Sequence, residues 1–287
     1  MWNERIYTWW GERIDARLSK EYALSRSFFH HLLERQAVRV NNKIVKKSYQ
    51  LHKGDTIEIE NRERFLNAEC LGECPNIEIP ILQETEEYLI LNKPKGVLTH
   101  PRTMRDLHEP SVSGFLYHHY KNLPSLGNFI RAGILHRLDK MTDGILLVAK
   151  TEQALAHFKQ LFETRTWIRK RYRATSHITS IGKQFLEKIQ NNLPFLIDEL
   201  VIPKIPHAVP KQGQTKIISF TIRGDLVDLS LEILTGRTHQ IRYHLSQHGL
   251  PIVGDYLYGK DEGIDMQLTA WKLEFLDTKG EMQKVEI

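Results

Sequence analysis

The sequence of 287 residues has only two cysteines, Cys70 and Cys74. Their C-L-G-E-C spacing lacks the second ligand pair of a zinc site and is one residue wider than a redox-active C-x-x-C pair. No apolar run approaches the ~20 residues that cross a bilayer, and charged residues interrupt the first segment, MWNERIYTWWGERIDAR, so no signal peptide is expected. These absences predict a cytoplasmic protein without disulfides, a metal site or a membrane anchor.

The sequence also lacks the short signatures of several large enzyme classes. It contains no G-x-x-x-x-G-K-[ST], no G-x-G-x-x-G, no G-x-S-x-G and no H-E-x-x-H. Phosphate-loop NTPases, dinucleotide-dependent enzymes, serine hydrolases and zincins are therefore disfavoured. The 14 histidines include His244 and His248 at helical spacing, but no third ligand stands near them, so this pair predicts no metal site either.

The net charge of +5 is modest, but it is spread unevenly along the chain. Residues 1–62 carry twelve Lys/Arg and eight Asp/Glu, residues 63–92 carry one Arg and seven Glu, and residues 93–287 carry 27 basic and 20 acidic side chains. Two basic blocks therefore flank an acidic stretch. This pattern predicts a small domain at 1–62, an acidic connector at 63–84 and a larger domain at 85–287.

The first block has the pattern of a small α/β module. Ser25 is placed to cap a helix in which apolar residues recur four positions apart (Phe28 and Leu32, Phe29 and Leu33). Strands are predicted at Val38–Val40, Lys43–Lys47 and Asp55–Glu60, with the first two joined by a turn at Asn41-Asn42. The basic residues of this block form either a nucleic-acid surface or an ordinary solvated face, and charge alone leaves both open.

Four segments of this block resemble the S-four-like RNA-binding module, which is named for a ribosomal protein. They are R-I-D-A-R-L (13–18), S-R-S (25–27), V-R-V-N-N-K-I-V (38–45) and G-D-T-I-E-I (54–59). The resemblance implies that this module grips structured RNA through its phosphates and shape, and we expect Arg26, Arg39 and Lys43 to contact the RNA.

The larger block alternates short apolar runs with one clear amphipathic helix. Strands are predicted at 88–91, 145–149, 216–223 and 226–234, and a helix is predicted from Thr238 to about His248. The amphipathic helix follows Glu152, and its apolar stripe is expected in the core: Ala154, Leu155, Phe158, Leu161 and Phe162. Residues 165–173 then carry five basic side chains and no acid.

The residues with the clearest chemical pattern are His136-Arg137-Leu138-Asp139. The spacing places the carboxylate of Asp139 in a tight turn, where it is either catalytic or a cap for the amides of Thr142 or Gly144. In its context, H-R-L-D-K-M-T-D-G-I-L-L-V-A-K-T (136–151) resembles the active-site motif of the RluA family of pseudouridine synthases.

Three further segments resemble motifs of the same family in the same order. They are L-N-K-P-K-G-V-L-T-H-P (91–101), R-K-R-Y-R-A (169–174) and the stretch from L-T-G-R-T-H-Q-I-R-Y-H-L to D-Y-L-Y-G (234–259). The resemblance implies an α+β fold with a mixed, mainly antiparallel sheet and flanking helices. It also implies a cofactor-independent isomerase, expected to be a monomer, that converts uridine to pseudouridine in structured RNA, with ribosomal RNA favoured and transfer RNA next.

The family's functional residues map onto particular positions of this sequence. The resemblance implies that Asp139 is the catalytic carboxylate, that Arg242 is its cationic partner with Arg237 as second choice, and that Tyr172 stacks on the target base. Arg137 matches the residue that fills the space left by the flipped uridine. The neighbouring phosphates would be held by a basic run: Arg169, Lys170 and Arg171.

The sequence departs from the family at Asp143, where a serine is usual. A second carboxylate there either raises the pKa of Asp139 by repulsion or points to solvent, and the second is favoured. Two other functions remain open from sequence: an RNA-binding protein without activity, and a base hydrolase that uses Asp139.

Overall fold

The computed structural model describes residues 2–6, 11–22, 26–60, 69–101, 104–125, 129–205 and 208–287. They form two compact units that interleave along the chain. The first comprises Met1–Ile79, Leu98–Ile134 and Ala149–Glu152, and the second comprises Pro80–Val97, Leu135–Val148 and Gln153–Ile287. The predicted domains, in contrast, are three consecutive ranges of the chain, and their boundaries stay predictions.

The first unit begins with a four-stranded antiparallel sheet in the order β1-β4-β2-β3. Its strands are β1 (Trp2–Ile6), β2 (Val38–Val40), β3 (Lys43–Ile44) and β4 (Thr56–Glu60). The turn between β2 and β3 has Asn41 and Asn42 at φ of 49° and 62°, which confirms the predicted left-handed turn. The structure shortens the second predicted strand, which ends at Ile44.

Two helices, Ile14–Tyr22 and Arg26–Glu34, pack against this sheet. The four apolar residues predicted to form one face of the second helix are all buried, as expected from their spacing: Phe28, Phe29, Leu32 and Leu33. The predicted cap Ser25 lies outside the described residues.

Part of the acidic segment after this module packs against residues from later in the chain. Short 3₁₀ turns at Glu69–Glu73, Met104–His108 and Phe129–Arg131 accompany the helix Val112–His119, which is capped by Ser111. Four side chains of this region form one apolar cluster: Leu71, Cys74, Leu107 and Ile130. The predicted connector is therefore more than a linker, because part of it contributes to the core of the first unit.

The second unit is built on a nine-stranded sheet in the order β5-β6-β7-β12-β8-β11-β10-β9, with β13 also paired to β12. The strands are β5 (Ile81–Glu84), β6 (Tyr88–Lys93), β7 (Asp143–Ala149), β8 (Ile168–His177), β9 (Phe195–Val201), β10 (Lys211–Arg223), β11 (Leu226–Ile233), β12 (Leu268–Leu276) and β13 (Met282–Glu286). The pairing of β7 with β12 is parallel, whereas β12, β8, β11, β10 and β9 pair antiparallel in succession. The predicted α+β class with a mixed, mainly antiparallel sheet is confirmed.

Three helices accompany this sheet: Glu152–Thr164, Ser180–Ile189 and Gln240–Gln247. Four of the five residues predicted as the core stripe of the first helix are buried, but Phe162 is only half-buried. Its ring stacks on His136 with centroids 5.0 Å apart, so its prediction as a core residue is wrong. No helix within the described ranges is long and apolar enough to cross a bilayer.

Candidate active site

A cavity of about 390 Å³ lies in the second unit. It is lined by the segment 135–139, by the inward face of β8 and by the loop that leads from β11 into the helix Gln240–Gln247. Six of the predicted site residues line it together: Arg137, Asp139, Lys170, Tyr172, Arg237 and Arg242. Residues that stand up to 105 positions apart in the sequence are thus assembled around one space.

Asp139 lies in an extended segment that turns sharply before β7. The N–H of Thr142 donates to the backbone carbonyl of Asp139 at 3.1 Å, so the turn is closed by backbone groups and the carboxylate is not its cap. Gly144 follows with φ of 115°, and a Cβ there would overlap the carbonyl of Ala270 on β12. The close approach of β7 to β12 therefore needs a glycine directly after the turn.

The two oxygens of the Asp139 carboxylate have different surroundings. Oδ2 lies 3.4 Å from an Nη of Arg242 and 3.9 Å from Nε2 of His239. Among the described residues, none lies within hydrogen-bonding distance of Oδ1. The side chain is 18% exposed and lines the cavity, so the carboxylate is within reach of a molecule bound there.

Arg242 is held in place by a second carboxylate. Its Nε and the other Nη donate to Asp255 at 2.8 Å each, and the Asp255 side chain is fully buried. Burial alone would raise the pKa of Asp255, but the guanidinium and the amides of Leu257 and Tyr258 lower it. This bidentate pair fixes the guanidinium, so that its remaining edge points to Asp139.

Arg237, the second choice for the partner of Asp139, has other contacts. Its Nε donates to the carbonyl of Gln212 at 2.9 Å, and its backbone N–H donates to Oε1 of Gln240 at 3.1 Å. Of the two predicted arginines, Arg242 is the one that contacts Asp139. Arg237 instead fastens the cavity loop to β10.

The inward face of β8 presents Lys170 and Tyr172 to the cavity. Burial raises the pKa of the Tyr172 hydroxyl, and the charge of Asp139 raises it further, so the phenol is neutral. Burial lowers the pKa of Lys170 to about 8, with a contribution from Arg165. Burial likewise lowers the pKa of His136 to about 3, and its Nε2 accepts the N–H of Leu147 at 3.0 Å. His136 is thus a neutral structural residue of the cavity wall.

The alternation of β8 divides the predicted basic run between two faces. Lys170 faces the cavity, whereas Arg171 pairs with Glu232 on β11 in the sheet register. The Arg171 guanidinium lies 3.8 Å from Glu232 and 3.9 Å from Glu274, so its charge is balanced by two carboxylates. Arg169 is exposed. The three residues of the run therefore have three different environments.

Asp143 is bonded rather than simply solvated. It is half-buried, and its Oδ1 accepts the hydroxyl of Thr269 at 2.9 Å, which corrects the expectation that it points to solvent. Lys93 is fully buried, and its ammonium donates to the carbonyls of Pro94 and Val97 at 2.8 Å each. Burial lowers the pKa of Lys93 to about 8, and the carboxylates of Asp143 and Asp139 oppose this shift.

The first unit carries a separate cationic cluster around Asp15, which is completely buried. Oδ2 of Asp15 accepts from Arg13 and Arg26 at 2.9 Å each and contacts Nε2 of His30 at 2.7 Å. Oδ1 accepts Nε of Arg13 at 3.0 Å and the N–H of Ala16 at 2.9 Å. We call Arg13, Arg26 and His30 the Asp15 cluster; it includes only one residue, Arg26, that sequence predicted to bind RNA.

The other two RNA contacts predicted for this unit lie on the β2–β3 hairpin. Arg39 pairs with Ile44 and Val40 pairs with Lys43 in the register. Lys43 is exposed, and Arg39 donates to the side chain of Asn42 at 3.4 Å.

Three residues of the catalytic cavity region were not singled out from sequence: His239, Asp255 and Tyr258. All three lie in the segment 234–259, which resembles a family motif. Only Arg237 and Arg242 of this segment were predicted as site residues. Asp255 follows an apolar run and a glycine, which is a sequence context typical of the protein interior. A carboxylate that is buried there needs a cationic or hydrogen-bonding partner. That signal could have identified it as the partner of Arg242.

Comparisons with known proteins agree with this geometry. Residues 87–247 match the family described as RNA pseudouridylate synthase, and residues 12–57 match the S4 domain. The chain belongs to the RNA pseudouridylate synthase family. It is therefore an RNA pseudouridine synthase, an isomerase, and both predicted resemblances are confirmed.

Curated relatives cover most of the chain. The ribosomal large subunit pseudouridine synthase D of Borreliella burgdorferi is 32% identical over 250 residues, which span 84% of this chain and 74% of that protein. The ribosomal large subunit pseudouridine synthase C of Vibrio cholerae is 31% identical over 275 residues, which span 92% and 81%. Among solved structures, human RNA Pseudouridylate Synthase Domain Containing 1 has the same fold, with a TM-score of 0.54 and 23% identity over 74% of this chain and 85% of that one.

Proposed function

We propose that this protein isomerises specific uridines of large-subunit ribosomal RNA, with Asp139 as its single catalytic carboxylate. The observation that carries the proposal is the asymmetry of Asp139: one oxygen lies near Arg242 and His239, and the other has no hydrogen-bond partner within the described part of the chain. The names of the relatives favour ribosomal RNA, and transfer RNA is the second candidate. We expect a cytoplasmic protein that acts as a monomer.

The chemistry requires the N1–C1′ bond to break and a C5–C1′ bond to form. Oδ1 of Asp139 either attacks C1′ or takes the proton from C2′, and the electron pair of the N1–C1′ bond leaves with N1 of uracil. The uracil turns within the cavity, and C5 bonds to C1′. In the first path the Oδ1–C1′ bond breaks at this step and its electron pair returns to the carboxylate, and in the second path the proton returns from Asp139 to C2′. C5 then loses its proton and N1 gains one. No atom is oxidised and no water enters the product, so no cofactor is required, and the detached base must be held away from solvent.

Each neighbour of Asp139 supports a step of this scheme. Arg242 orients the carboxylate and balances its charge, since one Nη lies 3.4 Å from Oδ2. Tyr172 lies on the cavity wall with a neutral phenol ring, which suits stacking on the target base. Arg137 is exposed at the cavity edge, where we place it in the space that the flipped uridine leaves in the RNA.

We propose that the first unit binds the RNA. In the Asp15 cluster, two guanidiniums and an imidazole share one carboxylate, and the side chains of Arg13 and Arg26 are 41% and 52% exposed. The N–H groups that do not bond to Asp15 are available to phosphate oxygens. Together with Arg39 and Lys43 they form the RNA-binding surface that we propose for this unit. In the second unit we assign phosphate contacts to Arg169 and Lys170 and a weaker one to Arg171.

The proposal is tested by mapping pseudouridine chemically in total RNA from cells with and without the gene. We expect one or a few uridines of large-subunit ribosomal RNA to lose the modification, and the purified protein to restore it on an unmodified transcript. If only transfer RNA lost the modification, the substrate would be transfer RNA instead of ribosomal RNA. Unchanged modification in every RNA, with no activity of the purified protein, would contradict the proposal.

A further inference from the structure

His239 stands directly before the helix Gln240–Gln247 in a left-handed conformation, with φ of 57° and ψ of 22°. Few residues other than glycine adopt this conformation, and surrounding contacts must hold it. The ring is placed between two groups. Its Nδ1 lies 3.1 Å from the hydroxyl of Tyr258, and its Nε2 lies 3.9 Å from Oδ2 of Asp139.

The hydroxyl of Tyr258 contacts one backbone donor and one imidazole nitrogen. Its oxygen accepts the backbone N–H of Lys204 at 2.8 Å. A phenol has a single hydrogen to donate, and the acceptor that faces it among the described residues is Nδ1 of His239, 3.1 Å away. The ring of Tyr258 is also held in an edge contact with His239, at 82° between the ring planes. When the phenol donates its hydrogen to this nitrogen, Nδ1 is unprotonated.

Burial lowers the pKa of His239, and although the charge of Asp139 opposes the shift, the ring remains neutral at physiological pH. A neutral imidazole carries one proton, and that proton is on Nδ1 or on Nε2. If it were on Nδ1, a lone pair of Nε2 would face the Asp139 carboxylate and repel it. If it is on Nε2, an N–H faces the carboxylate and attracts it.

We propose that Tyr258 holds His239 in the tautomer protonated on Nε2, and that this N–H orients Oδ2 of Asp139. His239 is then a positioning residue, and Tyr258 selects its tautomer. The inference rests on the proposed catalytic role of Asp139. At 3.9 Å the contact is longer than a hydrogen bond, but catalytic contacts are often long in the free enzyme and shorten when substrate binds. With Arg242 and His239 both directed at Oδ2, Oδ1 is left to react.

The tautomer is measured directly by nitrogen NMR of the full-length protein labelled with ¹⁵N-histidine. His239→Gln removes the signals of His239 and so assigns them. We expect Nδ1 to resonate as an unprotonated nitrogen and Nε2 as a protonated one, and we expect Tyr258→Phe to abolish this preference. Protonation on Nδ1 in the unaltered protein would overturn the proposal, as would a tautomer that Tyr258→Phe leaves unchanged.

The second test separates positioning from folding. On a large-subunit ribosomal RNA transcript, we expect His239→Asn to lower kcat about ten-fold or more with little change in KM, because a donor to a charged group is lost. His239→Gln places an amide N–H near the position of Nε2, so it should recover part of that loss. Tyr258→Phe should lower kcat several-fold, whereas Tyr243→Phe removes a hydroxyl from the neighbouring ring and should leave kcat unchanged. Equal losses in the Asn and Gln variants would indicate a purely structural role and contradict the proposal.

Asp139→Asn is assayed beside these variants to separate the two proposals. If Asp139→Asn is inactive while both His239 variants turn over at the normal rate, the positioning role fails and the catalytic assignment stands. If Asp139→Asn remains active, the catalytic assignment fails whatever tautomer is found.

Discussion

Asp15 in the first unit and Asp139 in the second are both surrounded by arginine and histidine, yet their carboxylates are used differently. Asp15 is fully buried, and both of its oxygens are bonded, with five contacts of 2.7–3.0 Å. Asp139 is 18% exposed and has contacts of 3.4 and 3.9 Å to one oxygen. The same two residue types thus surround both carboxylates, but at contact lengths that differ by up to about 1 Å.

In the proposed mechanism, this is the difference between an organising carboxylate and a reactive one. The Asp15 carboxylate makes four contacts with the side chains of Arg13, Arg26 and His30 and accepts the N–H of Ala16, so both of its oxygens are occupied. Asp139 keeps one oxygen without a partner among the described residues. The cation that would saturate it, Arg242, is instead held by Asp255. On this proposal, Asp255 preserves the reactivity of Asp139 because it occupies the partner of Asp139.

The largest expected effect is that of Asp139→Asn, which tests the reactive side of this comparison. An amide neither attacks C1′ nor takes a proton, so pseudouridine formation should fall at least about 1,000-fold. Folding and most of the RNA affinity should remain, since the contacts of the Asp139 carboxylate with described residues are 3.4 Å and 3.9 Å long. The measurements are pseudouridine formation on a ribosomal RNA transcript, the thermal midpoint and the binding constant. Turnover near the normal rate would refute the assignment of Asp139.

The fold could be predicted because it depends on local patterns, whereas the catalytic role of Asp139 stays a prediction. The stripe of Ala154, Leu155, Phe158 and Leu161 repeats at helical spacing, and such a repeat is buried whatever it packs on. Asp139 was identified because its neighbours match a family motif. Phe162 fits the same helical stripe, but its position beside a cavity depends on residues distant in sequence, so the pattern misplaced it.

The electrostatic partners could be predicted only in part, since they depend on three-dimensional placement. The family resemblance ranked Arg242 above Arg237, and in the structure Arg242 contacts Asp139 while Arg237 bonds to Gln212. The second carboxylate on Arg242, that of Asp255, was not predicted, because only the fold brings it there. The acidic segment near Leu71 and Cys74 looked like a linker because its composition is acidic. Its burial depends on contacts with Leu107 and Ile130, more than 30 positions away.

The next largest effect is expected for Asp255→Asn, which should make Asp139 resemble Asp15. Without the bidentate carboxylate, the Nε edge of Arg242 is released and can pair closely with Asp139, which closes the reactive oxygen. We expect kcat to fall about 100-fold, the loss that removal of a supporting residue or a strong charged contact produces. The variant should also be less stable by about 3 kcal/mol, because a buried ion pair loses one partner.

A stability control shows whether that loss of activity is specific. Asp277 is also buried, and it accepts the N–H groups of Lys279 and Glu281 at 2.9 Å each. Asp277→Asn should lower the thermal midpoint while leaving kcat unchanged. If both variants lose activity in proportion to stability, Asp255 has no separate role in preserving the reactivity of Asp139.

Asp15→Asn should give the opposite pattern to Asp139→Asn. It removes the shared acceptor of the Asp15 cluster, so RNA affinity should fall about ten-fold, the effect of one or two misplaced charge contacts, while kcat at saturating RNA is unchanged. The expected loss of stability is about 1–2 kcal/mol, below that of a fully buried pair because the arginines are partly exposed. An unchanged RNA-binding constant would show that the Asp15 cluster is not part of the RNA-binding surface.

The same variant predicts a dependence of stability on pH. Hydrogen bonds from His30, Arg13 and Arg26 outweigh burial and depress the pKa of Asp15 in the folded state. A depressed carboxyl pKa stabilises the fold above the unfolded pKa of about 3.9 and loses that contribution as pH falls through the folded value. The stability difference between the unaltered protein and Asp15→Asn should therefore shrink steadily as the pH falls below about 4. A difference that stays the same between about pH 4 and pH 2 would show that the charge is not its source.

The smallest effect is expected for Tyr172→Phe, which asks whether the reactive carboxylate needs a second polar group beside it. The Tyr172 side chain is buried on the cavity wall, and both burial and Asp139 keep its hydroxyl protonated, so it is not a base. If the ring acts by stacking on uracil, Phe should lower kcat/KM only a few-fold, whereas Ala should cost roughly 10- to 100-fold, as expected for the loss of one stacked base. Equal losses for Phe and Ala would mean that the hydroxyl itself acts in the reaction. In that case both Asp139 and Tyr172 would act in the reaction. The contrast with Asp15 would then depend on the whole cavity rather than on one oxygen of Asp139.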